Sequence, residues 1–531
     1  MADTALVVSE DTMAINSLAE LAEASAERLG EQHIFEIDEQ QYTNWQLLDA
    51  ATRLQSALQE LGLKRGGRVV VTMMNHALVY PVFQAVFRAG STAIPVMPQA
   101  AAPELRFVLS DTEAQMIVTD ADRLATAREA AAGLPHVTHI LVQSGLDDLQ
   151  AKPMELRLDP LLDRAPGSLV PVARDDIAVM LYSSGTTGRP KGVLLSHGNL
   201  LASAEAVSDA AMLDRWEGPR TVLSAMPIAH IFGVAIMNDL LMTPNHLAKQ
   251  TRLVQMRWFD PEPFMALIQK YRCTSTAVVP TILAVLLHHP RAAQYDLSSL
   301  REIVCGGAPL PVELAEAFMR KHPARIREVY GLTEGTGLGT ANRRTEPYRP
   351  GSAGRAYCNT ELAILDDEDR PLAAGERGEI CLRGPIVMRG YHNRPDETAK
   401  IMRSGWLHTG DIGYLDADGY LFVVDRKKDM IIRGGENIFP AELEAVLHEH
   451  PAVAEAAVVG VPDEVYGENV VAFVVAKPGA TVSESEVIEH VCKHVARFKA
   501  PSRVDFVPAL PKSNIGKILR RVLRDKATGG S

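Results

Sequence analysis

The sequence predicts an α/β protein built from more than one domain, and three observations support that class. The chain has 531 residues, whereas a single hydrophobic core seldom serves more than about 250–300 residues. Amphipathic helical stretches alternate with short β-branched runs, which favours mostly parallel sheets with helices on both faces. After about residue 350, short strands and turns rich in glycine and aspartate take over.

The first of these elements is a helix with clear start and stop signals. Thr43 and Gln46 form a capping box, and Gly62 marks the end. Between them, apolar residues recur at three- and four-residue steps along one helical face, namely Leu47, Ala51, Leu54, Leu58 and Leu61.

The alternation continues with a buried strand, GRVVVTMM, at residues 67–74, then a helix over 77–89 and a strand over 92–97. It extends through residues 177–310. There we predict further strand or strand-to-turn segments in two apolar runs: VVPTILAVL (278–286) and EIVCGGAPL (302–310).

The sequence from about residue 350 onward predicts two smaller units. Residues 350–425 favour a small antiparallel or barrel-like subdomain, and the charged run RKKD that follows them is a predicted linker. Beyond it, Ser483 and Glu486 cap a predicted helix of about 14 residues between two apolar strands. This pattern indicates a compact α/β unit.

Composition and charge exclude several classes of protein. Hydrophobic residues make up 47% and charged residues 23%, which is ordinary for a globular protein. A net charge of −12 argues against nucleic acid or an anionic membrane as the main partner. The N-terminus lacks a secretory signal, and no apolar run is long enough to cross a bilayer. The five cysteines are scattered, which favours neither disulfides nor a cysteine zinc site: Cys273, Cys305, Cys358, Cys381 and Cys492. We therefore expect a cytoplasmic protein.

The segment LYSSGTTGRPKGVLLSH, residues 181–197, carries the strongest chemical signal. Its hydroxyl and glycine residues offer O–H and backbone N–H donors, and Lys191 adds a cation, which together suit a chain of phosphates. It is not a Walker loop, because Pro190 and Gly192 stand where glycine and a hydroxyl residue are needed. The alternative is a surface turn, since Ser, Thr and Gly are common loop residues.

Further chemistry-bearing segments follow this loop in order. They are MPIAHIFG (226–233), CGGAPL (305–310), YGLTEG (330–335), HTGDIGY (408–414) with DRKKDMIIRGGENIFPAELE (425–444), and PKSNIGKILRR (511–521). With the loop, this set resembles the adenylate-forming superfamily of acyl- and aryl-CoA synthetases, nonribosomal adenylation domains and beetle luciferases. The resemblance covers the chain from about residue 15.

The resemblance implies a domain layout and a reaction. It implies a large N-terminal domain over 1–425, a hinge at 426–428 that includes Lys428, and a smaller mobile α/β domain over 429–531. The implied reaction converts a hydrophobic carboxylic acid and ATP to acyl-AMP and pyrophosphate, with Mg²⁺. The acyl group then passes to the thiol of CoA.

The resemblance also implies which residues bind the nucleotide. They are Ser183, Ser184, Gly185, Thr186, Thr187, Gly188, Lys191, Gly306, Gly307, Ala308, Pro309, Tyr330, Gly331, Thr333, Asp411, Arg426 and Lys517. The loop would hold the β- and γ-phosphates, Tyr330 would lie against adenine, and Asp411 with Arg426 would bind the ribose. Taken alone, an aspartate after a glycine is usually a turn residue.

The implied catalytic residues are Thr333, Glu334, His230 and Lys517. Thr333 would reach the α-phosphate, and Glu334 offers the hard oxygen ligand that Mg²⁺ prefers; a helix-capping Thr–Glu pair is the structural alternative. His230 would line the acyl pocket and gate the carboxylate. A lone histidine beside Phe232 is otherwise a packed core residue.

Lys517 lies in a basic terminal stretch that a solvated face would also explain. Its place after Gly516 matches the tail of the resembled superfamily. When a carboxylate attacks the α-phosphorus, two anions meet and negative charge builds up. One ammonium at that point stabilises the transition state more than the separated reactants.

The acyl pocket is expected to be lined mostly by small and apolar residues, which favours a hydrophobic acid over an amino acid. These residues are His230, Phe232, Val234, Ala235, Gly335 and Thr336. Gly434, Gly435 and Glu436 would face CoA after the C-terminal domain rotates, because glycines leave room for the pantetheine arm.

Three functions remain open. The first is an acyl-CoA synthetase for a medium-chain, alicyclic or aromatic acid. The second is an enzyme of the same fold that stops at acyl-AMP or loads an acyl carrier protein. The third is a regulatory protein with a decayed ATP site, which the complete set of motif residues disfavours. A homodimer is compatible with all three.

Overall fold

The computed structural model describes residues 15–143, 154–183, 190–208, 216, 218–242, 251–434, 436–512 and 518–528. The chain divides into two compact units. The first unit comprises Met1–Pro350, Gly354–Leu362 and Leu382–Leu407, and the second comprises Gly351–Ala353, Ala363–Cys381 and His408–Ser531.

The described strands are numbered in chain order. They are β1 (His33–Ile37), β2 (Gln40–Thr43), β3 (Arg68–Thr72), β4 (Thr92–Pro95), β5 (Met116–Asp120), β6 (His139–Gln143), β7 (Glu155–Arg157), β8 (Ile177–Ser183), β9 (Lys191–Ser196), β10 (Arg220–Ser224), β11 (Thr251–Gln255), β12 (Ser275–Val278), β13 (Glu302–Gly306), β14 (Arg325–Gly331), β15 (Gly339–Ala341), β16 (Arg355–Ala356), β17 (Glu361–Leu365), β18 (Gly378–Arg383), β19 (Gly390–Tyr391), β20 (Met402–Arg403), β21 (Trp406–Leu415), β22 (Leu421–Arg426), β23 (Ile431–Arg433), β24 (Glu436–Ile438), β25 (Val453–Asp463), β26 (Gly467–Ala476) and β27 (Arg503–Phe506).

The described α-helices are numbered in the same way. They are α1 (Leu18–Leu29), α2 (Asn44–Glu60), α3 (Val79–Arg88), α4 (Ala102–Thr112), α5 (Leu124–Ala131), α6 (His197–Ser208), α7 (Ile231–Met242), α8 (Pro261–Tyr271), α9 (Pro280–His288), α10 (Val312–Lys321), α11 (Pro395–Ile401), α12 (Pro440–Glu449), α13 (Glu484–His494) and α14 (Arg520–Ala527). Among these helices, none has both the length and the hydrophobicity that spanning a membrane requires.

Two large sheets organise the first unit. One has nine strands in the order β16-β15-β14-β13-β12-β10-β11-β1-β2, and the other has eight in the order β19-β9-β8-β4-β3-β5-β6-β7. Neighbours are parallel from β14 through to β1 in the first sheet, and from β8 through to β7 in the second. Among the described strands of these two sheets, the antiparallel pairs are β1–β2, β14–β15, β15–β16, β8–β9 and β9–β19, all at or next to a sheet edge. The expected parallel-rich α/β fold is therefore confirmed.

The second unit is built on a smaller mixed sheet. Its strands follow the order β24-β23-β26-β25, and β27 pairs with β26 in parallel. Valines and alanines from β25 and β26 meet apolar residues of α12 and α13 in one buried cluster. In the β-rich stretch after residue 350, β21 and β22 pair antiparallel, as the short-strand pattern predicts.

Two predicted helix starts are confirmed. Thr43 and Ser483 each accept a hydrogen bond from the backbone three residues on, and the Gln46 and Glu486 side chains complete both capping boxes. The second helix is shorter than predicted: α13 has 11 residues, because Val495 takes an extended conformation with φ −130°.

The strand-like interpretation of VVPTILAVL is wrong. Only Val278 ends a strand there, while Pro280 begins α9 and occupies its first turn. Proline is preorganised for that position, and Ile282, Leu283 and Leu286 bury the helix on one side. A short apolar run does not distinguish a buried strand from a buried helix by periodicity. The companion run EIVCGGAPL does contain a strand, β13.

Candidate active site

The two ends of the hydroxyl-rich loop are held by one antiparallel pair of strands. Ser183 is the last residue of β8 and faces Lys191, the first residue of β9. Ser184, Gly185, Thr186, Thr187 and Gly188 lie outside the described residues. The described residues on either side of the loop therefore lie at adjacent positions in the sheet, with a hydroxyl on one strand and an ammonium on the other.

The Glu334 carboxylate is held beside that exit. It lies in a single 3₁₀ turn, Thr333–Gly335, directly after β14. Ser183 Oγ stands 3.5 Å from Glu334 Oε1, and the Tyr391 hydroxyl donates to the same oxygen at 2.8 Å. Burial and the Glu334 charge raise the pKa of Tyr391, so its phenol stays protonated and remains a donor. The first unit thus gathers three oxygen-bearing side chains around one point.

Lys191 is held by a neighbouring acid that the sequence patterns do not single out. Its Nζ lies 2.5 Å from Glu397 Oε2 and 5.0 Å from the centre of the Tyr391 ring. Arg394 Nη1 also pairs with Glu397, at 2.8 Å. The hydrogen bond from Lys191 lowers the pKa of Glu397. Two cations, Lys191 and Arg394, therefore share the Glu397 carboxylate.

In the nine-stranded sheet, the ends of β13 and β14 lie close together, because glycines there leave almost no side chain between the two backbones. A Cβ on Gly306 would overlap Val329, and one on Gly331 would overlap the Gly337 carbonyl. Gly307 has a φ of +83°, a conformation that favours glycine. The CGGAP and YGLTE segments therefore run close together, and Ala308 and Pro309 continue from the first of them.

Tyr330 lies within this group of strand ends. Its ring edge faces Gly339, where an added Cβ would stand 3.1 Å from Tyr330 Cδ1. Thr333 opens the following turn, and its backbone carbonyl accepts from Thr336 N at 3.0 Å. Both residues are half-buried. Their neighbour Glu328, also half-buried, was not predicted; burial raises its pKa to about 8.

The segment proposed for the acyl group begins α7. His230 caps the helix, because its Nδ1 accepts from Phe232 N at 3.2 Å. Gly337 lies against this start, where an added Cβ would stand 3.1 Å from Ile231 Cγ1. The structure thus brings the 230–235 segment and the turn after YGLTE together, with Gly335 buried inside that turn.

Not every predicted acyl residue is accessible. Val234 is fully buried in the main core, and Thr336 is buried with its hydroxyl donating to the Ile386 carbonyl at 2.5 Å. His230, Phe232 and Ala235 are half-buried and keep partly open surfaces.

One buried amide holds the acyl segment in place. Asn75 Nδ2 donates to the Met226 and Met256 carbonyls at 3.0 and 2.9 Å, and its Oδ1 accepts from Ile228 N at 3.1 Å. Since it is 3% exposed, these bonds are shielded from water. No sequence motif marks Asn75, and its partners are more than 150 residues away.

The second unit carries the ribose candidates on paired strands. Asp411 and Arg426 face each other across β21 and β22, with Arg426 Nε 3.4 Å from Asp411 Oδ1. Asp411 is 9% exposed, and its backbone N–H donates to Thr409 Oγ1. Lys428 follows two residues after Arg426 and is exposed.

The tail motif is anchored near the predicted hinge. Lys517 lies outside the described residues, as does Gly435. Arg520, three residues after Lys517, pairs with Glu444 at 2.6 Å and lies 3.8 Å from Asp429. Asp425 accepts from Ala441 N at 2.8 Å, and burial raises its pKa to about 6. Within the second unit, the tail, helix α12 and the RKKD run are thus tied together by charge.

Comparison with known proteins agrees with these segments. The family described as AMP-binding enzyme matches residues 22–392, and the AMP-binding enzyme C-terminal domain matches residues 442–517. The long-chain-fatty-acid–CoA ligase of Bacillus subtilis strain 168 is 37% identical over 508 residues, which cover 91% of this chain and 89% of that protein. A feruloyl-CoA synthase of Amycolatopsis sp is 35% identical and covers 89% of this chain and 91% of its own.

Solved structures agree over nearly the whole length. ATP-bound MatB from Rhodopseudomonas palustris has a TM-score of 0.86 at 29% identity, covering 96% of this chain and 99% of that one. The anthranilate CoA ligase AuaEII, in complex with anthranoyl-AMP, also has a TM-score of 0.86, at 27% identity, covering 96% and 97%. The chain therefore belongs to the AMP-binding enzyme family and is an AMP-forming acid–thiol ligase whose substrates are a small-molecule carboxylic acid, ATP and CoA.

Proposed function

We propose that this ligase acts on a hydrophobic carboxylic acid, aliphatic or aromatic, and that the residues described above carry out its two half-reactions. The contact between Ser183 Oγ and Glu334 Oε1, 3.5 Å, is the observation that supports this most directly. It joins the exit of the hydroxyl-rich loop to the acid of YGLTE, as a site for a metal-bound triphosphate requires.

The substrate class is supported by the acyl segment and by the relatives. His230, Phe232 and Ala235 offer one imidazole among apolar groups, which suits a carboxylate with an apolar tail. The relatives named above are a long-chain-fatty-acid–CoA ligase and a feruloyl-CoA synthase, and a rice relative at 37% identity is called 4-coumarate–CoA ligase-like 9. All three names describe ligases of hydrophobic acids.

Mg²⁺ fits the oxygen ligands around Glu334. The Glu334 carboxylate is a hard donor of the kind that Mg²⁺ prefers, and the hydroxyls of Ser183 and Tyr391 lie beside it. When bound there, the ion would neutralise charge on the phosphates. Glu334 is the residue that we expect to hold it.

The remaining nucleotide contacts are assigned by motif and position. We assign the phosphates to the 183–188 loop and Lys191, the adenine to Tyr330 and the 306–309 segment, and the ribose to Asp411 with Arg426. Thr333 would donate to the α-phosphate. Because Gly306 and Gly331 have no side chain, only their backbone would lie near a flat ligand.

The first half-reaction forms a C–O–P anhydride. A carboxylate oxygen attacks the α-phosphorus, and the bond to the bridging oxygen of pyrophosphate breaks. Lys517 is assigned to the charge that builds on those oxygens. His230 would orient the carboxylate, since the cap to Phe232 N fixes its ring.

The second half-reaction replaces AMP by the CoA thiol. The thiol gives up its proton and its sulfur attacks the acyl carbonyl; the bond from that carbon to the phosphate oxygen breaks, so that a thioester forms and AMP leaves. Gly434 has a φ of +61° and donates its N–H to Tyr466 O at 2.8 Å, and Glu436 begins β24, so the described residues on both sides of Gly435 have a defined backbone. Four exposed apolar residues belong to this segment or to stretches that hydrogen-bond to it, namely Ile432, Val465, Tyr466 and Phe498. Such a face suits the pantetheine arm.

The two half-reactions need different groups at one carbonyl. We therefore propose a hinge at 426–428, with Lys428 as its pivot, between a domain over 1–425 and a mobile domain over 429–531. The free thiols of all five cysteines support a reducing compartment such as the cytoplasm.

A panel of carboxylic acids, assayed for pyrophosphate release with and without CoA, tests the proposed function. We expect release with hydrophobic acids and thioester formation when CoA is added. Acyl-AMP that accumulates and never becomes a thioester would contradict the CoA step. Selective turnover of amino acids or short dicarboxylates would contradict the proposed substrate class.

Lys517→Ala tests the assignment of the two half-reactions. It should reduce acyl-AMP formation by about 10²–10³-fold, in line with the loss of a single transition-state donor. Conversion of supplied acyl-AMP by CoA should persist. Lys526→Ala, at an exposed lysine of α14, is the matched control. Equal loss of both half-reactions in Lys517→Ala would rule out the two-state scheme.

A further inference from the structure

The second unit carries a group of side chains that the ligase reaction does not use. Within the described part of the chain, Glu449, His490 and His494 are the one group of three or more metal-ligand side chains whose ligand atoms all lie within 4.8 Å of one another. We propose that these three residues bind a divalent transition-metal ion of the Zn²⁺ class. This inference is independent of the proposed acyl substrate.

The backbone sets the spacing of the three ligands. His490 and His494 are four residues apart on α13, so they lie on the same helical face. Glu449 is the last residue of α12. The two helices share a buried core in which Leu447 and Val491 take part. The ligands therefore come from two elements whose positions are fixed by packing.

Hydrogen bonds select the ring tautomers that metal binding needs. His494 Nδ1 lies 2.8 Å from the His490 carbonyl, and His490 Nε2 lies 2.9 Å from the Val446 carbonyl. A carbonyl only accepts, so in each neutral ring the bonded nitrogen carries the proton and the other nitrogen keeps its lone pair. Metal-binding histidines usually donate their second nitrogen in this way.

One of those lone pairs already faces the carboxylate. His494 Nε2 stands 3.8 Å from Glu449 Oε2. Both residues are exposed, while His490 is half-buried and anchored on α12 through Val446. A tetrahedral site needs ligand atoms about 3.3 Å apart. The two exposed side chains are free to close that remaining gap by small rotations.

The donor set determines the class of ion. Two imidazole nitrogens and one carboxylate oxygen suit Zn²⁺, Ni²⁺ or Cu²⁺ and disfavour Mg²⁺ and Ca²⁺, which take all-oxygen sites. Three protein ligands leave a fourth tetrahedral position for water. The bound ion would link α12 to α13.

Zinc titration of the full-length protein tests this site. The protein is kept in excess Mg²⁺, so that Zn²⁺ binding to the oxygen groups around Glu334 does not contribute to the signal. Zn²⁺ binding is followed by calorimetry. We expect one saturable site that His494→Ala and Glu449→Gln each weaken by more than about tenfold, because losing a ligand costs at least as much as losing a hydrogen-bonded partner of a ligand. His288→Ala, at an exposed histidine ending α9, should bind as wild type does.

Thermal unfolding supplies an independent readout. Zn²⁺ should raise the melting temperature of the wild-type protein and of His288→Ala, because ligand binding to the native state stabilises it. It should not raise that of His494→Ala. Equal Zn²⁺ affinity in wild type and both ligand variants, or no saturable binding to the wild type, would overturn the proposal.

Discussion

The candidate residues of the first unit and those of the second unit are prepared very differently. In the first unit, Glu334 and Lys191 are already engaged, by Tyr391 and Glu397, and glycine backbones are packed without spare room. In the second unit, Val465 is 82% exposed and Tyr466 is 50% exposed beside the Gly434 turn. Large exposed apolar side chains in one place indicate a face that another molecule or surface covers.

This difference between the two units indicates which of the two proposed half-reactions relies on groups that are fixed in advance. Charge stabilisation needs groups fixed before the reaction, because reorganising them costs the energy that they supply. A passage for a long flexible thiol needs open surface instead. Fixed groups in one unit and an open apolar face in the other therefore fit the two successive half-reactions that we propose.

The largest expected effect on activity concerns Glu334 in the first unit. Glu334→Gln keeps the size of the side chain but removes its charge, so acid-dependent pyrophosphate release should fall by about 10²–10³-fold. The melting temperature should change little, because the amide oxygen still accepts from Tyr391. Glu464→Gln, at an exposed acid of the second unit, is the control and should release pyrophosphate normally. A fall of less than fivefold in Glu334→Gln would show that the prepared acid does not serve the first step.

A matched pair of glycine substitutions sharpens the comparison. In Gly331→Ala the new methyl overlaps the Gly337 carbonyl, so unfolding free energy should fall by about 1–3 kcal/mol. In Gly434→Ala the nearest atom is Tyr466 Cδ1 at 3.6 Å, an ordinary contact, and the cost is about 1 kcal/mol from its positive φ.

The two variants should also differ in activity. Gly331→Ala should impair acyl-AMP formation, whereas Gly434→Ala should slow only the transfer from supplied acyl-AMP to CoA. Chemical denaturation and the two half-reaction assays measure these outcomes. A Gly434→Ala protein that forms acyl-AMP slowly and transfers it at the wild-type rate would contradict the proposed assignment of the two half-reactions to the two units.

The smallest expected effect is a pH dependence of stability that arises from Glu328 in the first unit. Because burial raises the pKa of Glu328 to about 8, the folded state favours its neutral form. Its contribution to stability is complete at low pH and is lost as the pH rises through about 8. Solvent reaches the half-buried side chain, so we expect about 1 kcal/mol between pH 5 and pH 8.

Glu328→Gln mimics the neutral form and removes that dependence. The difference in melting temperature between wild type and Glu328→Gln should therefore grow in favour of the variant as the pH rises. Parallel curves for the two proteins across this range would show that the Glu328 carboxyl is ionised in the folded state at all these pH values.

Local signals predicted much of the architecture correctly. The capping boxes at Thr43 and Ser483 are present, because a cap depends on residues three positions apart. The error at VVPTILAVL arose where a run is apolar on every side, so that Pro280 was the only local sign of a helix.

The partners of the candidate residues were beyond sequence reasoning. Tyr391 bonds to Glu334 across 57 residues of chain, and Asn75 bonds to Met226 across 151. No spacing rule links such pairs, because their distance depends on the order of strands in the sheets. The zinc candidate is of the same kind, since Glu449 and His490 meet only through helix packing.

The order of short motifs was enough to identify the family and its reaction, because each motif keeps its chemical groups within a few residues of one another. Strand order and packing settle how those motifs are used: which acid holds Lys191, which glycines have no room, and which apolar side chains stay exposed. Such contacts join distant parts of the chain, and their energies exist only once the sheets and helices have come together.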